Sequence, residues 1–411
     1  MSKKGELYMW KNEVDINQVV ELRLKPNVYF GFGAINKIED VAKDMKSKGI
    51  DKILVVSGRN AYKSSGAWEV IEKALKNNGI AYTNYAEVTP NPTADAVDAA
   101  AKQGKEFGAK AVMGIGGGSP IDAAKSVAIM LANEGVTARD IYEFKFIPEK
   151  AVPIVAINLT HGTGTETNRF AVVTIPETEY KPAIAYDCIY PSYSIDDPAL
   201  MMNLSPEQTI YVSIDAVNHS IEAATTKVAS PYSISTAKEC IELVAKYLPI
   251  INKDPQNKEA RYFLLYASIL GGVSFDNGLL HFTHALEHPL SGVKPKLSHG
   301  LGLAMILPAV VKYIYPAKAK TLASLFSTII PDLKGTPDEA EYAAKKIEEW
   351  LFSVGITKKL TDEGFSEADV EKLVNLTFET PSLSGLISIA PVEGTKEVVK
   401  AIFTESLKAY N

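Results

Sequence analysis

KAVMGIGGGSPIDAAKSVAIML, residues Lys110–Leu131, reads as a buried strand, a glycine turn and a helix in direct succession. The run Gly116-Gly117-Gly118 lets the backbone take conformations closed to other residues and come close to an anion. Ser119 is expected as the N-cap, Pro120 as the first helical residue and Asp122 as the third. The free N–H groups and positive dipole end of that helix would face the turn, where a pyrophosphate fits. The pattern is neither GxGxxG nor a P-loop, so a plain tight turn is the competing reading.

Outward from this stretch the first half alternates strand and helix. Lys52–Gly58, Ile80–Val88 and Val152–Asn158 read as strands, and Ala61–Asn78 and the segment from Thr93 to Phe107 as helices, with Thr93 as N-cap. Strands separated by helices predict βαβ units and a parallel sheet whose ligands bind at the carboxyl ends of the strands. The loop Thr160–Glu166 offers hydroxyls and amides at that end. A dinucleotide site for NAD commonly holds a carboxylate near the ribose 2′-hydroxyl. Here the strand ends in Gly58, with Arg59 and Lys63 beyond it, which suits a 2′-phosphate and hence NADP.

Beyond Pro198 the chain reads as helical throughout. The expected organisation is an α/β dinucleotide-binding domain over residues 1–197 and an all-α metal-binding domain over 198–411. With 46% hydrophobic and 22% charged residues the composition is that of an ordinary globular protein. A net charge of −6 argues against a nucleic-acid or anionic-membrane surface. Two cysteines without metal or redox spacing, and no visible signal peptide, lead to a cytoplasmic expectation. The apolar run Leu301–Val311, interrupted by Pro308, reads as too short to cross a bilayer. The extended N-terminal segment VVELRLKPNVYFGFGAINKI could pair across a two-fold axis, so a homodimer is expected.

The second chemical signal is the run GLLHFTHALEHPLSGVKPKLSHG, Gly278–Gly300, with four of the six histidines. LLHFTHALEH reads as one helix that places His281, His284 and His288 within roughly 60° of one face. Pro289 and Gly292 are expected to end it, and a loop to return His299. Upstream, Asp215 and His219 stand at i, i+4 on another helix. One carboxylate and several imidazoles suit a divalent metal. Buried structural histidines are the competing reading.

GGGSPIDAAK (116–125), PNPT (90–93), the GTGTE loop (162–166), DAVNHSIEA (215–223) and HALEHPLSG…SHG (284–300) occur together and in this order. The chain therefore resembles the iron-containing (group III) alcohol dehydrogenases along nearly its whole length. The resemblance implies that Asp215, His219, His284 and His299 bind the metal, and that His288 lies beside the substrate without ligating. It also implies that Asn91, Gly117, Gly118, Ser119, Thr160 and Thr163 line the cofactor, with Lys181 near it; Gly58 and Asp122 complete the expected cofactor set. His281 falls outside the family's ligand set. His161 and Thr165 stand where the family usually has smaller residues.

Four protein ligands plus an open position suit Fe(II), with zinc as the alternative. The expected reaction is hydride transfer between a small primary alcohol, or its aldehyde, and NADP(H), with NAD as the alternative cofactor. His288 would relay the proton. Competing functions are a polyol or glycerol dehydrogenase using NAD and zinc, a dehydroquinate-synthase-like lyase, and a non-catalytic metal- or nucleotide-binding protein. Only Lys294 and Lys296 lie near the histidines, which favours a neutral alcohol over an anionic substrate.

Overall fold

The structure is a computed structural model describing Glu13, Glu21 and residues 23–410; Val19, Val20 and Leu22 of the expected extended segment lie outside the described residues. Among the described residues eight strands follow in order: β1 (Val28–Phe30), β2 (Lys52–Ser57), β3 (Ala81–Tyr85), β4 (Ala111–Gly116), β5 (Ile154–Asn158), β6 (Phe170–Val172), β7 (Ala183–Ala185) and β8 (Tyr193–Asp196). Six of them form a parallel sheet in the order β1-β8-β5-β4-β2-β3, and β6 pairs antiparallel with β7. The expected α/β fold with a helical second half is thus present.

The central strands are apolar throughout because both faces are covered. Ile53 and Val55 of β2 pack with the helices Ile38–Ser47 and Ala67–Asn77. Leu54 and Val56, one residue out of phase, pack with Ala94–Phe107 and Gly118–Ala132 on the other face. After β3 the chain returns to lay β4 on the opposite side of β2. The carboxyl ends of β2 and β4 therefore flank a topological switch point, the usual seat of a ligand in such sheets.

The described residues divide into two compact units, one over Leu24–Leu204 and one from Ser205 onward, with Arg23 grouped with the second. The divide lies slightly beyond the residue 197 expected from sequence. Arg23 is tied to the second unit for a visible reason: its N–H donates to Asn277 Oδ1 (2.6 Å) and Asn277 Nδ2 donates to Arg23 O (3.1 Å).

In the second unit the long helices Pro206–Thr225, Pro231–Lys253, Lys258–Gly278, Phe282–Val293 and His299–Ile314 share one core. Ser205 caps the first by accepting from Gln208 N–H, with Pro206 just inside. Glycines set the close approach of its neighbours. A Cβ on Gly278 would run into Ala223 O, and one on Gly300 into Tyr211 O.

Several helix boundaries differ from expectation; the helix expected over Ala61–Asn78 is two, Ala61–Ser64 and Ala67–Asn77, parted at Gly66. Pro289 and Gly292 lie inside the helix Phe282–Val293 rather than ending it, and Pro308 lies inside His299–Ile314; each proline removes an internal hydrogen bond, and burial of the surrounding turns carries the helix through. The Leu301–Val311 run belongs to a stretch, His299–Ala317, that is long and apolar enough to cross a membrane but is mostly buried inside the protein. His281 is not on the helix face. It is the N-cap of Phe282–Val293, following Leu279 at φ 61°, ψ −176°.

Candidate functional site

In the α/β unit the half-exposed Gly117, Gly118, Ser119, Thr160 and Thr163 gather at the carboxyl ends of β4 and β5. A Cβ on Gly117 would lie 2.6 Å from Thr160 Oγ1, and one on Gly118 2.7 Å from the Thr163 methyl. A Cβ on Gly114 would lie 2.9 Å from that of Ala124. The glycines thus serve both readings, holding helix and loop close while leaving bare backbone at the strand ends. Gly58 follows β2, with Arg59 and Lys63 exposed beyond it. Asn91 takes a left-handed φ of 53°, which Asn tolerates better than most residues.

The helix start differs from expectation. Gly117, not Ser119, is the N-cap, with no side-chain hydrogen bond. Asp122 faces inward: it accepts from Thr165 Oγ1 (2.6 Å) and Val172 N–H (2.9 Å), and burial pushes its pKa up to about 6. Its carboxylate braces the loop after β5 from beneath. Lys125 does the same from one turn on. Its buried ammonium donates to Thr165 O (2.6 Å), Phe170 O (2.7 Å) and Asn168 O (2.9 Å). Lys181 is buried, and its charge faces Asp122.

In the helical unit the residues expected to ligate do converge. Asp215 Oδ1 lies 3.5 Å from His219 Nε2, 3.5 Å from His284 Nε2 and 3.8 Å from His299 Nε2. Asp215, His284 and His299 offer ligand atoms all within 4.8 Å of one another, close enough for one cation, and His219 joins them through Asp215. The His219 ring stacks between Phe275 and His284, 4.5 Å from each. Asp215 Oδ1 and His284 Nε2 are buried without a hydrogen-bond partner, as atoms reserved for a cation would be. One carboxylate and three imidazoles fit Fe(II) or zinc.

His299 does not sit on a loop but opens the helix His299–Ile314. His288 is buried beside the cluster, its ring 5.9 Å from that of His299 and 6.5 Å from that of His284. One of its ring nitrogens lies within 4.8 Å of ligand atoms of Glu287 and His299, a second group that could hold a metal.

Two buried carboxylates behind the histidines were not anticipated. Glu222 accepts from His284 Nδ1, and its Oε1 also accepts from the N–H groups of His281 (2.9 Å) and His284 (3.2 Å). Glu287 accepts from His299 Nδ1 and Ser291 Oγ. Each fixes the ring so that Nε2 presents its lone pair to the cluster. Their signal was legible in principle, as glutamates on apolar helix faces at one helical turn from a histidine.

Charge is distributed accordingly. Burial alone would raise the Asp215 pKa, but His219, His284 and His299 bring it down to about 2. Burial would likewise lower that of His284, and Glu222 with Asp215 lift it to about 9. His281 accepts from Phe282 N–H at Nδ1 (2.7 Å), which leaves its proton on Nε2, 2.9 Å from Thr225 Oγ1. It is a cap, not a ligand.

Residues 25–198 match the iron-containing alcohol dehydrogenase model, and residues 209–407 match the C-terminal domain of the Fe-containing alcohol dehydrogenase family. The chain belongs to the iron-containing alcohol dehydrogenase family. It is similar to the long-chain primary alcohol dehydrogenase AdhA of Thermoanaerobacter ethanolicus, 61% identical over 97% of this chain and 100% of the relative. The NAD-dependent methanol dehydrogenase of Bacillus methanolicus is 30% identical over 92% of this chain and 98% of its own length. Among solved structures, an alcohol dehydrogenase from an archaeal halo-thermophile of a Red Sea brine pool superposes with a TM-score of 0.87 at 27% identity, covering 95% of this chain and 100% of that one. Membership in this family brings with it an iron centre and a nicotinamide cofactor.

Proposed function

We propose that this alcohol dehydrogenase interconverts primary alcohols and aldehydes with NADP(H), using iron held by Asp215, His219, His284 and His299. The convergence of three imidazole Nε2 atoms on Asp215 Oδ1, two of them backed by buried glutamates, carries this reading. When bound, the cation supplies a Lewis acid for the alcohol oxygen and the nicotinamide supplies the hydride acceptor. The protein's own residues do the rest. Glu222 and Glu287 keep two ligating rings in one tautomer. Burial of the cluster keeps water from the reacting atoms. The His288 imidazole takes the alcohol proton in oxidation and returns it in reduction.

The NADP preference rests on the end of β2, where Gly58 leaves room and Arg59 and Lys63 bring positive charge. The relative at 61% identity is described as a long-chain primary alcohol dehydrogenase, which supports a substrate range reaching beyond ethanol. A cytoplasmic homodimer completes the proposal; the edge position of β1, with Leu24, Tyr29 and Phe32 exposed around it, supports the dimer.

The test is metal analysis of the purified protein with initial rates over a series of primary alcohols of rising chain length, each with NADP and NAD. Iron content near one per chain and higher kcat/KM with NADP are expected. Absence of nicotinamide reduction across the series with metal bound would overturn the proposal. Asp215→Ala should lose the metal, whereas His288→Ala should keep metal and cofactor while turnover falls. Light scattering reads the dimer.

A further inference from the structure

Beneath the loop Thr160–Glu166 lie two carboxyl groups to which the chemistry above gives no task. Asp196 ends β8, and Asn158 ends β5 directly beside it in the sheet register. Glu166 stands on the short turn Thr165–Thr167, tied to β8 by Ser194 Oγ, which donates to Glu166 O (2.6 Å). All three side chains are fully buried. Asn158 Nδ2 donates to Asp196 Oδ1 (2.9 Å), and Asn158 Oδ1 accepts from Thr160 N–H (3.1 Å). Neither oxygen of the Glu166 carboxyl, nor Asp196 Oδ2, has a donor among the described residues.

The nearby ammonium offsets only part of their charge. Lys125, on the helix Gly118–Ala132, spends its protons on the carbonyls of Thr165, Asn168 and Phe170. Asp122 on the same helix adds a further carboxyl and no cation. Two adjacent buried carboxylates with the single Asn158 donor between them would be costly as a pair of anions. A proton held between them removes one charge and supplies the missing hydrogen bond. Burial, together with the charge of Asp196 on Glu166, pushes both acids up from the ordinary carboxylate range.

We infer that Glu166 and Asp196 share one proton, and that this pair is the positioning device that sets the dinucleotide loop. The chain of contacts runs from Glu166 to Asp196, to Asn158, to the Thr160 backbone. Thr160 and Thr163 in turn rest on Gly117 and Gly118. Losing the pair would let the loop shift against the glycine turn and weaken nicotinamide binding. Hydride transfer from bound substrate would be unaffected. This rests on the proposed dinucleotide site, so the test begins with the wild type.

NADPH affinity is measured by fluorescence titration on the metal-loaded enzyme for wild type, Glu166→Gln and Glu166→Leu. If the wild type binds no nicotinamide cofactor, the proposed function fails, whatever the variants do. Given wild-type binding, Glu166→Gln, which donates a neutral N–H in place of the shared proton, should bind within about threefold of wild type. Glu166→Leu, which leaves Asp196 Oδ2 without the shared proton, should bind about tenfold more weakly or worse, with KM for cofactor raised, kcat at saturation kept and metal content unchanged. Should Glu166→Leu fold poorly, infrared difference spectra of Glu166→Gln against wild type decide the matter. Loss of a protonated-carboxyl carbonyl band supports the shared proton, and identical spectra overturn it. Equal cofactor affinity in all three proteins overturns the positioning role.

Discussion

Gly302 offers a sharp probe of the carboxylate behind His299. A methyl group at this position would lie 2.8 Å from Glu287 Cγ and 3.0 Å from its Oε1. Carbon atoms rest comfortably at about 3.5–4.0 Å, so Glu287 would have to retreat by roughly 1 Å. Its far end is not free to swing, because Ser291 Oγ and His299 Nδ1 both hold it. A displacement of that size costs the His299 contact its geometry. Loss of a carboxylate behind a metal-bound imidazole lowers metal affinity by about 10–100-fold. Gly302→Ala should therefore bind iron or zinc that much more weakly, as read by competition with a chromogenic chelator. Overpacking should cost about 1–3 kcal/mol in metal-free unfolding. Gly385→Ala is the control: nothing lies within 4 Å of the added carbon, so it should gain up to about 1 kcal/mol of helix stability and leave the metal alone. If Gly302→Ala loses stability yet binds metal like the wild type, Glu287 does not tune the centre through His299.

Three further outcomes are expected. Gly58→Asp puts a carboxylate where the 2′-phosphate is proposed to sit, and should lower kcat/KM for NADP by about 10–100-fold while sparing NAD; an unchanged ratio would remove the basis for NADP preference. Lys125→Met leaves three buried carbonyls without their donor and should destabilise the α/β unit by about 3 kcal/mol in denaturant titration; a loss under 1 kcal/mol would show that water replaces the ammonium. His281, held neutral by burial, has its pKa lowered from 6.5 to about 4. The folded state therefore binds fewer protons than the unfolded state, and this contribution is intact above pH 6.5 and is lost as pH falls towards 4. Between pH 7.5 and pH 5 the metal-free wild type should lose about 2 kcal/mol more than His281→Asn does, and equal losses would contradict the assignment.

Much of the fold was written in local pattern. Continuous apolar strands bounded by glycine and separated by helices can only pack as a covered parallel sheet, and β2, β4 and β5 do so. Asp215, His219 and His284 were legible because helical spacing fixes which side chains share a face. His281 shows the limit of that reasoning. The helix was expected to run through it, but Leu279 takes a conformation that spacing does not reveal, and Glu222, a helix away in the fold, captures the backbone N–H of His281. Ser119 looked like a cap by residue type; the chain enters its helix two residues earlier, at Gly118, where Thr160 and Thr163 lie close over the bare glycines. Glu222, Glu287 and Asp122 act through partners distant in sequence, and residue type alone could not assign them.

The contacts at Gly278 and Gly300 have a kinetic consequence. They pin the ends of two neighbouring helices against the backbone of Pro206–Thr225, at Ala223 and Tyr211. Helices seated backbone to backbone cannot part without breaking the core, so an ion cannot enter or leave by a breathing of the bundle. If Asp215, His219, His284 and His299 hold the ion as proposed, His299, the most exposed of these side chains at 26%, is the ring placed to turn first. The centre should accordingly exchange its ion slowly under native conditions, and faster when Glu287 is removed from behind that ring.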